Sequence, residues 1–378
     1  MKSIILQEKL KNSLNVLGRI ITKNQTLPIL NNVLLENEKN FLRLEATNLE
    51  IGIKWWILTK TEKEGKTVAP SQILSSFVSL LPNKKITLEF KNNNLLLECE
   101  NYKTQIRTYN PEDFPIIPKV EKNDFIEIKS SVLTKGLMQV ADIPVPSNTK
   151  PEISGIYFEV QKNLIILTGT DSFKLGEKKI YIKETNTSEL KNPHTLIIPQ
   201  KTAKEVINIF GEKDSLMRIY FSPNQIMFER DLEETKHPEV QLVSRLIEGE
   251  YPNYKEIIPK ECSTYIEVKK EEFLNQIKSA SLFSGRTNEI KVKPLPKENK
   301  LEISSKDPEI GSYQSFIIGN IKGEPTDVSF NYRFLLDGLS NIKSSEVIFE
   351  LNDDSGPGVL KPVGDDSYVY IVMPIKRT

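Results

Sequence analysis

Leu164-Ile165-Ile166-Leu167-Thr168-Gly169-Thr170-Asp171-Ser172-Phe173-Lys174-Leu175-Gly176 decides the fold, because the chain repeats its pattern. The apolar run reads as a strand, and the small polar residues after it read as a turn. Beyond the turn an aromatic residue and a leucine flank a lysine, which leaves apolar groups beside a surface loop. The strand, closed by Asn or Asp, returns as Leu42 to Asn48 and as Leu301 to Asp307. Positions 48, 171 and 307 stand 123 and 136 residues apart, the length of a domain rather than of a solenoid unit.

Two further units recur in step. A helix opened by Pro or Asn and followed by a strand is expected over Pro70 to Leu81, Pro199 to Phe210 and Asn331 to Ile342, with Pro in the first turn and Asn as a cap. A short strand leading into a longer amphipathic helix is expected from Ser3, Phe125 and Tyr265. Its apolar stripes are Leu10, Leu14, Leu17 and Ile21, then Leu133, Leu137 and Val140, then Phe273, Ile277 and Ala280. Each third of the chain therefore carries two helices among about eight short strands. The apolar, Pro-bearing joints Asp113 to Pro118 and Tyr251 to Pro259 read as packed connectors, which sets three domains at 1–121, 122–259 and 260–378. The alternating charges of Thr59 to Lys66 and Lys183 to Lys191 read as solvated hairpin tips.

Composition narrows the class. The 378 residues are 38% hydrophobic and 27% charged, as in a soluble globular protein of several domains. No apolar window is long enough for a membrane span and no secretory leader opens the chain, so a cytoplasmic protein without membrane contact is expected. Cys99 and Cys262 stand in unrelated contexts, which argues against a disulfide framework or a thiolate metal site. Lys+Arg and Asp+Glu are both 51, so any nucleic-acid surface must come from segregated charge rather than net charge.

Catalytic patterns are weak. Gly65-Lys66-Thr67 lacks the earlier glycine of a phosphate loop, since Lys60 stands there, and reads as a hairpin. Gly356 and Gly358 flank Pro357 in a turn. His194 and His237 are the only histidines and lie beside prolines in polar joints, too few for a His-based metal site or triad. The pairs Asp353-Asp354 and Asp365-Asp366 lie near turns. No catalytic residue, metal or cofactor is expected. A metal-dependent nucleic-acid enzyme and a peptide-binding scaffold without DNA are the competing classes.

Four pieces in order carry a resemblance over the full length: Thr26-Leu27-Pro28-Ile29-Leu30-Asn31-Asn32-Val33, Gly169-Thr170-Asp171 with Leu175, Tyr251-Pro252-Asn253-Tyr254, and Val372-Met373-Pro374. On a threefold repeat they resemble the bacterial beta sliding clamps, the processivity subunits of the replicative DNA polymerase. The resemblance implies an α+β DNA clamp fold of three similar domains, each with outer antiparallel sheets and two inner helices, closing head to tail as a homodimeric ring around double-stranded DNA. It implies binding of the polymerase, clamp loader and repair proteins through short hydrophobic peptides. The groove residues carried over are Ile153, Thr170, Ser172, Phe173, Lys174, Leu175, Pro252, Tyr254, Ile257, Asn331, Phe334, Ile371, Val372, Met373, Pro374 and Ile375. The DNA-facing candidates are Arg19, Lys23, Lys135, Lys150, Lys201, Lys204, Lys278 and Arg333, and the dimer contacts are Ile106, Leu282 and Phe283. The chain departs from the family pattern at Asn24, Ser71, Gln72 and Ser79, where basic residues are usual, at Phe173, where His is common, and at Lys174 and Lys376, where Arg is common.

Overall fold

A computed structural model describes residues 1–21, 24–147, 149–182, 190 and 193–376. Among them are six α-helices: α1 (Gln7–Ile20), α2 (Ser71–Leu80), α3 (Ser130–Val140), α4 (Gln200–Phe210), α5 (Lys270–Ser281) and α6 (Tyr332–Asn341). They fall two to each third of the chain, as the repeat predicts. The expected stripes are buried, with one shift: α1 ends a residue early, so Ile20 completes its stripe and Ile21 stands in extended backbone at the C-cap. The prolines shift too. Pro70 is the N-cap of α2 and Pro199 ends the strand His194–Pro199 before α4, so each precedes the first turn instead of joining it. Asn331 caps α6 as expected, its side chain accepting the backbone N–H of Arg333 at 3.0 Å.

The strands form four antiparallel sheets. Two compact units organise them. The first, built around Met1–Thr134 and Glu205–Leu246, holds a five-stranded and an eight-stranded sheet; the second, built around Lys135–Ile182, Pro193–Lys204 and the chain from Ile247 onward, holds a nine-stranded and a four-stranded sheet. These units follow shared sheets rather than the joints of the repeat. In the first, Ile51–Leu58 pairs with Pro238–Arg245, setting Ile51 opposite Ser244; in the second, Lys174–Tyr181 pairs with Tyr368–Val372, setting Lys174 opposite Val372. Backbone hydrogen bonds thus run from one repeat into the next, and nothing in a single strand's sequence announces its partner.

The joints lie packed on these sheets. In the first unit Ile117 is buried with Val120, Tyr220, Met227 and Val243, and it sits over Gly52, where any Cβ would come within 2.7 Å of it. In the second, Tyr254 is buried with Leu175, Val359 and Ile371.

Thr59 to Lys66 is not a hairpin tip. Lys60–Lys63 pairs with Lys2–Leu6 and Gly65–Pro70 pairs with Asn32–Glu38, so the segment hands the chain from one sheet to another. Its charged residues Lys60, Glu62, Lys63, Glu64 and Lys66 are all exposed. Gly65 makes the crossing at φ +144°, a backbone that disfavours any side chain. The other expected tip, Lys183 to Lys191, lies outside the described residues except for Leu190.

Candidate functional site

Asp171 builds the turn that ends strand Leu164–Thr170. Its Oδ1 accepts the backbone N–H groups of Phe173 and Lys174, each at 2.9 Å, while Thr170 Oγ1 donates to the Lys174 carbonyl at 2.9 Å. Ser172 is held at φ +77°, in the left-handed region. The turn leaves Phe173 60% exposed and Lys174 only 9%.

The end of the chain runs along this turn. Leaving strand Tyr368–Val372, Met373 donates its N–H to the Phe173 carbonyl at 2.8 Å, and Ile375 donates to the Ser329 carbonyl at 2.8 Å. Ser329 lies on Val328–Asn331, which leads into α6. The first turn of α6 presents Phe334, whose ring stacks on Phe173 with centroids 6.2 Å apart at 23°. Lys174 reaches under the same ring: its Nζ lies 5.4 Å from the Phe334 centroid and 2.5 Å from Asp337 Oδ2.

Thr170, Ser172, Phe173, Lys174, Asn331, Phe334, Met373 and Ile375 therefore belong to one corner, with Met373, Pro374 and Ile375 half-buried along it. Leu175, Tyr254, Ile371 and Val372 are buried and give the corner a rigid apolar floor rather than contact surface. Pro252 and Ile257 are exposed on the joint, and Ile153 is buried in the 3-10 helix Pro151–Ser154, which packs on strands Gly155–Gln161 and Leu164–Thr170; these three flank the corner rather than join its hydrogen bonds. The Tyr254 hydroxyl donates to Glu177 Oε2 at 2.7 Å. Burial pushes its phenol above the ordinary tyrosine value, and the Glu177 carboxylate pushes the same way.

Asp337 was not among the sequence-derived candidates. The signal available was its place on α6, three residues after Phe334, where side chains share a helix face.

The cationic candidates differ in freedom. Arg19 in the last turn of α1, Lys135 on α3, Lys150 just before the 3-10 helix Pro151–Ser154, and Lys278 on α5 are exposed, with no ion pair among the described residues. Lys201 is half-buried on α4, and Lys204 is paired with Asp142 Oδ1 at 2.8 Å. The Arg333 guanidinium lies 5.8 Å from the Tyr332 ring. Lys23 lies outside the described residues. The six helices together carry nine basic and five acidic residues, so the excess expected of them is modest and centred on α1, α3 and α4.

Of the dimer candidates, Leu282 at the C-cap of α5 is 71% exposed and Phe283 stacks on Tyr313 at 6.0 Å. Ile106 is 4% exposed on strand Tyr102–Arg107, which leaves it little free surface. Sequence reasoning passed over Ile73 and Leu80, 57% and 78% exposed on α2. Seven residues apart, they form a second apolar stripe beside the buried one of Leu74 and Val78. Tyr102–Arg107 ends the five-stranded sheet and Gly311–Ile318 ends the four-stranded one, each with one edge unpaired among the described residues.

Other sequence features are local. Asp353 Oδ1 accepts from the N–H and Oγ of Ser355 and the N–H of Gly356, and Asp365 binds Ser367, so each Asp pair serves a turn. Among the described residues no group of three or more His, Cys, Asp and Glu is arranged to hold a metal ion, and no helix is long and apolar enough to cross a membrane. Gly65-Lys66-Thr67 opens a strand rather than forming a hairpin.

A threefold helix-pair repeat on shared antiparallel sheets, with an apolar corner where the second repeat meets the chain's end, defines a protein of the DNA clamp fold. Models of the N-terminal, central and C-terminal domains of the DNA polymerase III beta subunit match residues 1–118, 127–253 and 255–376. The beta sliding clamps of Synechococcus elongatus and Staphylococcus aureus are each 27% identical to it, across 100% of this chain and 99% of theirs. The DNA polymerase sliding clamp of Bacillus subtilis superposes with a TM-score of 0.93 at 25% identity, covering 100% of both chains. The chain belongs to the bacterial beta sliding clamp family.

Proposed function

We propose that this chain is a DNA sliding clamp: two copies close head to tail into a ring around duplex DNA and tether the replicative polymerase and other DNA-processing proteins through the Phe173 corner. The observation that carries this is the run of three clamp-domain matches, in order and nearly end to end, on the observed repeat. In this reading the domains are those of 1–121, 122–259 and 260–378, the protein works in the cytoplasm, and it performs no chemistry of its own.

Retention is topological, so strong DNA contacts would be a hindrance. A few cations meeting phosphates give weak, salt-sensitive, sequence-independent binding, and a closed ring slides without dissociating. Arg19, Lys135, Lys150 and Lys278 are the best placed for this, being exposed and unpaired among the described residues; Lys201 is half-buried and Lys204 already has a carboxylate partner. Lys23 and Arg333 complete the proposed set.

Closure needs a surface at each end of the chain. The exposed Leu282 with Phe283 on one side and the exposed Ile73 and Leu80 of α2 on the other supply apolar groups, and the two open sheet edges supply unpaired backbone. Burying each large side chain contributes roughly 1.5–3 kcal/mol. Replacing Leu282 and Phe283 by Ala should therefore shift the protein toward monomer in analytical ultracentrifugation; an unaltered dimer rejects this interface.

The decisive experiment loads the protein on a circular plasmid. Linearising the plasmid should release it, because only the topological link is lost. Retention on linear DNA would count against a ring.

A further inference from the structure

We infer that Asp337 is a positioning residue for the peptide groove: it holds the Lys174 ammonium beneath Phe334, so that the corner selects partners by apolar shape and not by charge. The inference rests on the groove reading given above. Its evidence is separate, however, because it concerns a residue outside the carried-over set.

Three contacts meet at one cation. Lys174 is the only charged side chain in the turn from Thr170 to Leu175 apart from Asp171, whose Oδ1 is taken by two backbone N–H groups. Its stem is buried, and its Nζ is 2.5 Å from Asp337 Oδ2 and 5.4 Å from the Phe334 ring centre. Phe334 in turn stacks on the exposed Phe173. A buried ammonium without a partner is costly, so Lys174 without Asp337 must swing toward water or find another anion. In either case the cation leaves the face of Phe334, and the aromatic wall loses its support.

The Asp337 side chain is about half exposed, at 49%, against 10% for that of Lys174. It therefore has a second effect of the same sign: a carboxylate at the rim repels an acidic peptide residue, while the cation that would attract one is masked. Lys174 and Asp337 together leave the corner near neutral. The Arg333 guanidinium, exposed beside the Tyr332 ring, is common to every variant compared and so does not contribute to the difference between them.

The test compares two peptides of the same apolar sequence, one with Asp and one with Asn beside the apolar residues, titrated against the full-length protein. The unaltered protein should bind both with affinities within about 2-fold. Asp337→Asn should bind the Asp peptide about 10-fold tighter than the Asn peptide, as expected for a newly freed cation near the ligand. That preference should fade at high salt, and Asp337→Glu should restore the near-equal binding. A merely structural loss would weaken both peptides alike and leave no charge preference, and that result overturns the inference. A charge preference already present in the unaltered protein also overturns it. If neither peptide binds the unaltered protein, the groove reading fails and the inference falls with it. Should Asp337→Asn fold poorly, Lys174→Met provides a second test: it leaves the Asp337 carboxylate uncompensated and should bind the Asn peptide about 10-fold tighter than the Asp peptide, and equal binding of the two would reject the charge balance assigned to this pair.

Discussion

The Asn48 turn and the Asp171 turn are built alike and surrounded differently. In each, a side-chain Oδ1 accepts the N–H groups two and three residues on: Glu50 and Ile51 for Asn48, Phe173 and Lys174 for Asp171. In each the next residue is left-handed, Leu49 at φ +74° and Ser172 at +77°. In each the following strand pairs with a strand from the next repeat in the same offset, Ile51 opposite Ser244 and Lys174 opposite Val372. Asp307 makes the same two bonds, to Glu309 and Ile310, although Pro308 fills the position after it. The turn is thus a structural device that the chain uses three times.

What differs is the residue pushed outward and what meets it. At the Asn48 turn the second residue on is the polar Glu50, and Ile51 is buried in the sheet. At the Asp171 turn it is Phe173, with Phe334 stacked against it, Met373 bonded to its carbonyl and Lys174 tied to Asp337. A shared backbone therefore becomes an enclosed apolar corner only where a second element supplies the opposite wall.

The strongest way to break that comparison is to remove the wall. Deleting Met373 to Thr378 eliminates the backbone bonds of Met373 and Ile375 with their side chains, and calorimetric titration with a hydrophobic polymerase-tail peptide should show no binding while the dimer persists. Unchanged affinity would mean that the corner is not the groove. Next in size, Phe173→Ala should weaken the peptide about 10- to 100-fold, in the range of an aromatic anchor at an interface. Glu50→Ala, the matched change at the first turn, should leave peptide affinity untouched; an equal loss there would erase the distinction.

A pH titration sharpens the same contrast from the side of stability. Burial holds the Tyr254 phenol above its ordinary value of 10.0, so the folded protein keeps that proton more tightly than the unfolded chain does. The associated stability is complete below pH 10 and is lost as pH climbs from there toward the folded value. Denaturant midpoints should fall over this alkaline range, and Tyr254→Phe should flatten the fall by removing the group. An unchanged slope in that variant would show that the joint's phenol is not responsible.

The smallest expected effect tests the turns themselves. Asn48→Ala and Asp171→Ala each forfeit two side-chain hydrogen bonds to the backbone and should each cost about 1 kcal/mol of stability, measured by chemical denaturation. Only Asp171→Ala should also weaken the peptide. If both or neither did, the two turns would be functionally alike.

Much of this was legible in the residues. The recurring strand with its closing Asn or Asp, the two helices per repeat and the stripes of α1, α3 and α5 all follow from local periodicity and turn chemistry, which a sequence carries directly. The same holds for Asn331 as a helix cap and for Tyr254 in a packed joint. The hairpin expected at Thr59 to Lys66 failed because the segment's two halves pair into different sheets, and the register with Lys2–Leu6 is a long-range fact.

The sequence by itself determined the repeat, the helices and the turn at Asp171, since each depends on residues only a few positions apart. Tertiary structure alone decided which turn becomes a corner: Phe173 and Phe334, and Lys174 and Asp337, are more than 150 residues apart and meet only because the strand before the chain's end pairs beside the turn and α6 packs across it. It also decided that Ile371, Val372 and Leu175 are buried beneath the Phe173 corner. Alternation along a strand names two faces, but which of them another element covers is settled by packing between distant parts of the chain.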